Sequence, residues 1–146
     1  MVAKELMNRN IIVGTPSMTI KEAAKLMAEN WNEPLPIVEN NQLIGVLTAR
    51  AIVTDIVAKD RVGAVIRVRE LMTPAIVYCA EDQPVEAAAK LMEEQQFRRL
   101  FVVDHDKHLV GVLTLADVAR SAMVDQFHQS EKKQIFPDIL TGTDAS

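Results

Sequence analysis

Thr114-Leu115-Ala116-Asp117 places a hydroxyl and a carboxylate three residues apart, directly after the β-branched run Leu109 to Leu113. If a helix begins at Thr114, both groups stand in its first turn. An ionised carboxylate only accepts hydrogen bonds, so Asp117 suits the paired hydroxyls of a ribose, with Thr114 adding a further contact. The same Thr-x-x-Asp spacing is a variant of the helix capping box, and the helix dipole favours a first-turn acid in any case. An earlier stretch, Thr48-Ala49-Arg50-Ala51, keeps the hydroxyl but carries Ala51 in place of the acid and adds the cation Arg50. Arg98 and Arg99 stand together just before Leu100 to Val103 and suit an anion, or else mark an ordinary exposed strand end.

Other reactive side chains are few. His105 and His108 lie in a polar turn and His128 near the end of the sequence, where solvated histidines are expected; a metal held by His105, Asp106 and His108 is the lesser alternative. Cys79 is the single cysteine, in the apolar segment Ile76-Val77-Tyr78-Cys79, so it forms no internal disulfide and reads as a small buried side chain. No Walker-type glycine loop, His-Glu-x-x-His signature or nucleophile elbow is present, so no catalytic group is expected, no metal, and no required cofactor.

The elements that hold these residues must come from 146 residues, room for one domain or for two half-domains that share a core. With 49% hydrophobic and 25% charged residues of mixed sign, the balance is that of a soluble globular protein. A net charge of −4 and 4% aromatic residues argue against nucleic-acid binding, which needs a basic face and often stacking rings. No apolar run approaches the roughly 18 residues of a membrane-spanning helix, and the first ten residues lack a secretory apolar stretch, so a cytoplasmic location is expected.

An internal repeat organises the chain. An offset of 65 aligns Glu5-Leu6-Met7 with Glu70-Leu71-Met72, Ile11-Ile12 with Ile76-Val77, and Ala23 to Met27 with Ala88 to Met92. One extra residue within His105-Asp106-Lys107-His108 moves the offset to 66 and brings Gly45-Val46-Leu47-Thr48 onto Gly111-Val112-Leu113-Thr114. Each copy reads as a strand (Ile11 to Gly14; Ile76 to Cys79) and an amphipathic helix (Ile20 to Glu29; Val85 to Gln95). A hairpin follows (Leu35 to Val38 with Leu43 to Leu47; Leu100 to Val103 with Leu109 to Leu113), then a closing helix from Thr48 or Thr114. This is an α+β fold of tandem repeats, residues 1–62 and 63–127, packed about a pseudo-twofold axis because neither half can bury its apolar faces alone. Lys59 to Arg67 reads as a charged, exposed linker. Residues 128–146 read as a C-terminal tail, with a short partner-binding helix over Glu131 to Phe136 as the alternative.

The ordered set of Glu-Leu-Met before the first strand, the Ala-Ala-Lys-Leu-Met helix, the Leu100 to Asp104 strand and Leu109 to Asp117, met in duplicate over residues 2 to about 125, resembles the cystathionine-β-synthase (CBS) domain. The resemblance implies a two-repeat module, often dimerised into a flat disc, with clefts between the repeats that in many members hold AMP, ADP, ATP or S-adenosylmethionine. By the family's pattern, the residue before the ribose-binding position gives positive charge to the phosphate of the ligand held by the other repeat, and Arg50 occupies that place. The implied principal site has ribose on Thr114 and Asp117, adenine against Ala75, Ile76 and Val77, and phosphate near Arg50. The implied second cleft gathers Arg98, Arg99, Ile11, Ile12 and Thr48; with Ala51 in place of the acid, it is either empty or takes a phosphate-rich ligand differently. Glu33-Pro34, which match Arg98-Arg99 in the first copy, bring no positive charge to the principal site, so AMP or ADP is preferred to ATP or S-adenosylmethionine.

Two functional classes follow. One is a regulatory adenine-nucleotide sensor whose occupancy alters homodimer or target-protein contacts, and Asp117 and Arg50 favour it. The other is a ligand-free dimerisation module, served by the apolar stripes of Ile52, Ile56 and Val57 or of Val118, Ala122 and Met123.

Overall fold

Ile20, Ala23 and Met27 are buried at helical spacing, and the helix that carries them starts at a capping box. Thr19 Oγ1 accepts the Glu22 N–H at 3.1 Å while Glu22 Oε1 accepts the Thr19 N–H at 3.0 Å, satisfying two first-turn donors at once. The computed structural model describes residues 1–75 and 77–122. In chain order its elements are α1 (Ala3–Leu6), α2 (Ile20–Asn30), β1 (Leu35–Glu39), β2 (Gln42–Leu47), α3 (Ala49–Ile52), β3 (Thr73–Pro74), β4 (Cys79–Ala80), α4 (Val85–Gln95), β5 (Arg99–Val103) and β6 (Leu109–Thr114). A final helix, α5, covers residues 115–122. α3 runs on as a single π turn over Val53–Val57. Both long helices stop on a left-handed residue, Trp31 (φ 50°) after α2 and Gln96 (φ 57°) after α4, so the repeat is kept in the terminations as well.

The hairpins form as antiparallel pairs β1·β2 and β5·β6, each with one register shift. Asn40 and Asn41 both take positive φ between β1 and β2, a conformation that Asn tolerates and that matches the strand twist. The leading strands are shorter than the sequence suggests. Ile11 to Gly14 contributes only a parallel bridge in which Gly14 N–H donates to the Pro36 carbonyl and Val38 N–H to the Gly14 carbonyl, both at 2.9 Å. Its counterpart is β4, parallel to β5.

The chain crosses between the two sheets at these points, which is why the leading strands cannot run further. Asn8 exchanges backbone hydrogen bonds of 2.9 and 3.0 Å with Val112 of the second repeat, and α1 is fixed there by Ala3 N–H to Gln83 (2.8 Å) and Val85 N–H to Met1 (2.9 Å). In return the segment after residue 65 covers the first repeat. Ile20 N–H donates to Ile66 and Val68 N–H to Met18, both at 2.8 Å, and β3 pairs with β2. The linker is thus exposed at Val62 and Val65, but Ile66 and Val68 turn into the core. Two three-stranded sheets result, β1-β2-β3 and β4-β5-β6.

Each sheet packs its own helix, and a third apolar cluster of Leu43, Ala75, Phe101, Val103 and Val112 joins the sheets. The pseudo-twofold relation is explicit in one reciprocal pair: Leu43 N–H donates to Lys107 at 3.0 Å and its repeat mate Leu109 N–H donates to Asn41 at 2.9 Å. Gly45 and Gly111, equivalent in the repeats, admit the exchanged segments. A Cβ on Gly45 would lie 2.7 Å from the Thr73 carbonyl oxygen, and one on Gly111 would strike the Met7 side chain. Backbone cannot yield as a methionine tail can. Gly45→Ala is therefore expected to destabilise the protein by about 1–3 kcal/mol, more than Gly111→Ala, with urea denaturation as the measurement.

Candidate ligand-binding cleft

Where the crossing segment between β3 and β4 passes the start of β5, it leaves a cavity of about 700 Å³ between the repeats, a size that takes a small organic ligand. Ala75, Val77, Val46 and Phe101 give it apolar walls, and Glu33, Thr48, Arg98 and Arg99 give it polar groups.

Thr48 leaves β2 and caps α3, its Oγ1 accepting the Ala51 N–H at 3.1 Å; its hydroxyl hydrogen is left to donate. Glu33 reaches the same turn from the loop ahead of β1, its Oε2 accepting the Ala49 N–H at 2.7 Å. Arg99 lies half-buried and tied down. Its Nη1 donates to Asn32 Oδ1 at 2.7 Å, and its guanidinium sits 5.5 Å from the centre of the Phe101 ring. Burial lowers the Arg99 pKa from its usual value, and the Glu33 charge opposes that shift. Asn32, only 4% exposed, also donates Nδ2–H to the Ile12 carbonyl at 2.9 Å, so the chain Ile12, Asn32, Arg99 links three segments with every buried polar group paired. Arg98 is exposed, and among the described residues no carboxylate lies within ion-pair distance of its side chain.

The cavity draws on both sets of residues singled out in the sequence. Ala75 and Val77 line it, together with Thr48, Arg98 and Arg99. Ile76 lies outside the described residues. Ile11 and Ile12 do not line it, and neither do Arg50, Thr114 and Asp117. Arg50 is exposed on α3. Thr114 stands opposite Arg99 in the β5·β6 ladder; its Oγ1 accepts the Asp117 N–H at 3.1 Å, and the Asp117 carboxylate pairs with Arg120. Among the residues that line the cavity, Glu33, Val46, Phe97 and Phe101 were not picked out as site residues by sequence reasoning, nor was Asn32, which anchors Arg99 behind it. The repeat alignment carried the signal for Glu33, since it sets Glu33 and Arg98 at equivalent positions.

In the hairpin turn before β6, Asp104 rather than His105 partners His108, through Oδ2 to Nδ1 at 3.1 Å. Burial pushes the Asp104 carboxyl up, but the backbone and ring of His108 and the backbone of Asp106 hold it below its usual value. His128 and residues 128–146, including 131–136, lie outside the described residues. Among those described, no helix is long and apolar enough to cross a membrane.

A duplicated strand-helix-hairpin unit that exchanges its leading segments and encloses a cleft defines a tandem-repeat module. The sequence model of the CBS domain matches residues 3–58 and 68–123, and the chain belongs to that family as a tandem pair. It is 35% identical over 123 residues to the CBS domain-containing protein YhcV of Bacillus subtilis, covering 84% of this chain and 86% of that protein; it spans 59% of the length of another curated relative. CBSX2 of Arabidopsis thaliana, solved in complex with AMP, superposes with a TM-score of 0.70 at 30% identity, over 86% of this chain and 98% of CBSX2. The CBS pair of MJ0100, solved with 5′-methylthioadenosine and S-adenosyl-L-methionine, superposes with a TM-score of 0.68 at 27% identity, over 82% of this chain and 94% of that one.

Cys79 is 1% exposed, and burial pushes its thiol up to about 11. Below that value the thiol form dominates. At pH 8 the native protein is therefore expected to react with a disulfide reagent at least about a hundredfold more slowly than the urea-unfolded chain, as followed by thiolate release.

Proposed function

We propose that this protein is a cytoplasmic regulatory module that senses an adenosyl ligand, with AMP or ADP as the preferred occupant of the 700 Å³ cavity. The cavity itself carries the reading: it joins apolar walls fit for a purine to a hydroxyl donor, a carboxylate and an uncommitted cation. The adenosyl compounds bound by CBSX2 and MJ0100 support the ligand class. Adenine lies against Ala75 and Val77, and phosphate meets Arg98. Arg99 is already committed to Asn32, so among the described residues that line the cavity the Arg98 guanidinium alone is left for phosphate, which suits one or two phosphates better than three. Thr114 and Asp117, with Arg50 giving charge, remain the proposed contacts of the opposite cleft.

A sensor must also present a surface that responds. The helices α2 and α3 leave an apolar groove lined by Ala24, Ala28, Trp31, Ile52 and Val53, with Trp31 92% exposed. Ala89, Phe97 and Leu115, with the charged Glu93 and Arg98 at its edge, line a groove at the equivalent place on the second repeat. A second copy of the chain, related by a twofold axis, would cover both grooves at once. Light scattering is expected to give a dimer, and Trp31→Ser to shift it toward monomer; a monomer at every concentration would remove this partner.

For the ligand, the test is calorimetric titration of nucleotide-stripped protein with AMP, ADP, ATP and S-adenosylmethionine. Saturable binding of AMP or ADP is expected, weakened about tenfold in Arg98→Ala, the worth of a charge-assisted hydrogen bond. Binding that depends on Asp117 instead would put the ligand in the opposite cleft. No heat with any ligand would leave the ligand-free dimerisation module.

A further inference from the structure

We infer that Glu33 reads the ribose of the ligand in this cavity, accepting the hydrogen bonds of its vicinal hydroxyls; the inference rests on the adenosyl reading above. A diol moved out of water into a largely apolar cavity needs acceptors, because a buried hydroxyl left unpaired keeps its full desolvation cost. The first turn of α3 has no acid of its own, since Ala51 stands where the second repeat carries Asp117. Glu33 is the sole carboxylate among the described residues that line the cavity.

The geometry brings that carboxylate to the turn by another route. The Ala49 N–H bond of 2.7 Å holds Glu33 Oε2 against the start of α3, beside the Thr48 hydroxyl that caps the same turn. When ionised, a carboxylate accepts through both oxygens, and among the described residues Glu33 makes no further hydrogen bond and no ion pair. Thr48 can donate where Glu33 accepts, a combination that matches a hydroxyl group, itself donor and acceptor. The second repeat differs: Asp117 is paired with Arg120 on its own helix. An acid from the loop before β1 and the cation Arg98 from the loop before β5 occupy equivalent positions of the two repeats. They give the cavity two unlike poles, diol to Glu33 and phosphate to Arg98.

The test compares AMP with its 2′-deoxy and 3′-deoxy analogues on wild type, Glu33→Gln and Asp117→Asn. Calorimetry is read beside the emission of Trp31, the chain's one tryptophan, two residues before Glu33. Glutamine keeps an oxygen for the Ala49 N–H, and an unchanged melting temperature checks that the turn is intact. Wild type is expected to prefer AMP about tenfold over either analogue, as for loss of one hydrogen bond to a charged group. Glu33→Gln should weaken AMP more than either analogue, each of which keeps one hydroxyl for the carboxylate, so that the preference for AMP is largely lost. Equal binding of AMP and both analogues by wild type would overturn the inference without recourse to any variant. Discrimination that survives in Glu33→Gln, or that disappears only in Asp117→Asn, would overturn it as well while leaving an adenosyl site in place. Wild type that binds no nucleotide would remove the adenosyl reading and this inference together.

Discussion

The segment that leads into each repeat is packed on the other one, and the remaining architecture depends on that exchange. α1 and Met7 complete the core under α4 and β6, while Ile66, Val68 and Leu71 complete the core under α2 and β1. A half of this size, with one amphipathic helix and one hairpin, has too little apolar surface to fold by itself. Exchanging the leading segments makes each core require both halves. It also draws the sheets together over Leu43, Phe101 and Val112, so the repeats meet in a fixed relation rather than as beads on a linker.

The same crossing creates the cleft. β3 at Thr73–Pro74 belongs to the first sheet and β4 at Cys79–Ala80 to the second, and Ala75 and Val77 between them line the cavity together with Thr48, Arg98 and Arg99. The charges there are unequal in freedom. Arg99 is held by Asn32 and Phe101 and serves as structure. Arg98, two positions from a buried strand residue, is exposed and has no carboxylate partner among the described residues. Burial disfavours the Arg99 charge, and the Phe101 face, the Asn32 bond and the Glu33 charge offset that cost.

Residues 31–34 connect the cleft to the outside of the molecule. Trp31 ends α2 and lies in the exposed groove, Asn32 anchors Arg99 and Ile12, and Glu33 lines both the cavity and that groove. A change in the cavity that moves Glu33 therefore acts on a segment of four residues whose first member is the most exposed large apolar side chain described. Glu33 and Asn32 make that segment contiguous from the cavity to the groove.

Local patterns in the sequence determined the repeat, the two long helices, the hairpins and the closing helices, because helical and strand periodicities are written in neighbouring residues. Ala23 and Met27 against Ala88 and Met92, and Gly45 against Gly111, also carried the family resemblance. The lengths of the leading strands were not legible, since Asn8 and Gly14 belong to different sheets and nothing in Ile11-Ile12-Val13 says where the chain crosses. Which threonine faces which segment was decided by the same exchange. Thr48 meets Ala75 and Val77, with both arginines, only because residues 66–75 are carried onto the first repeat. Glu33 was hidden for a related reason. Its carboxylate reaches Ala49 from 16 residues away, and a side-chain bond between separate loops leaves no spacing in the sequence; only the tertiary fold brings the two together.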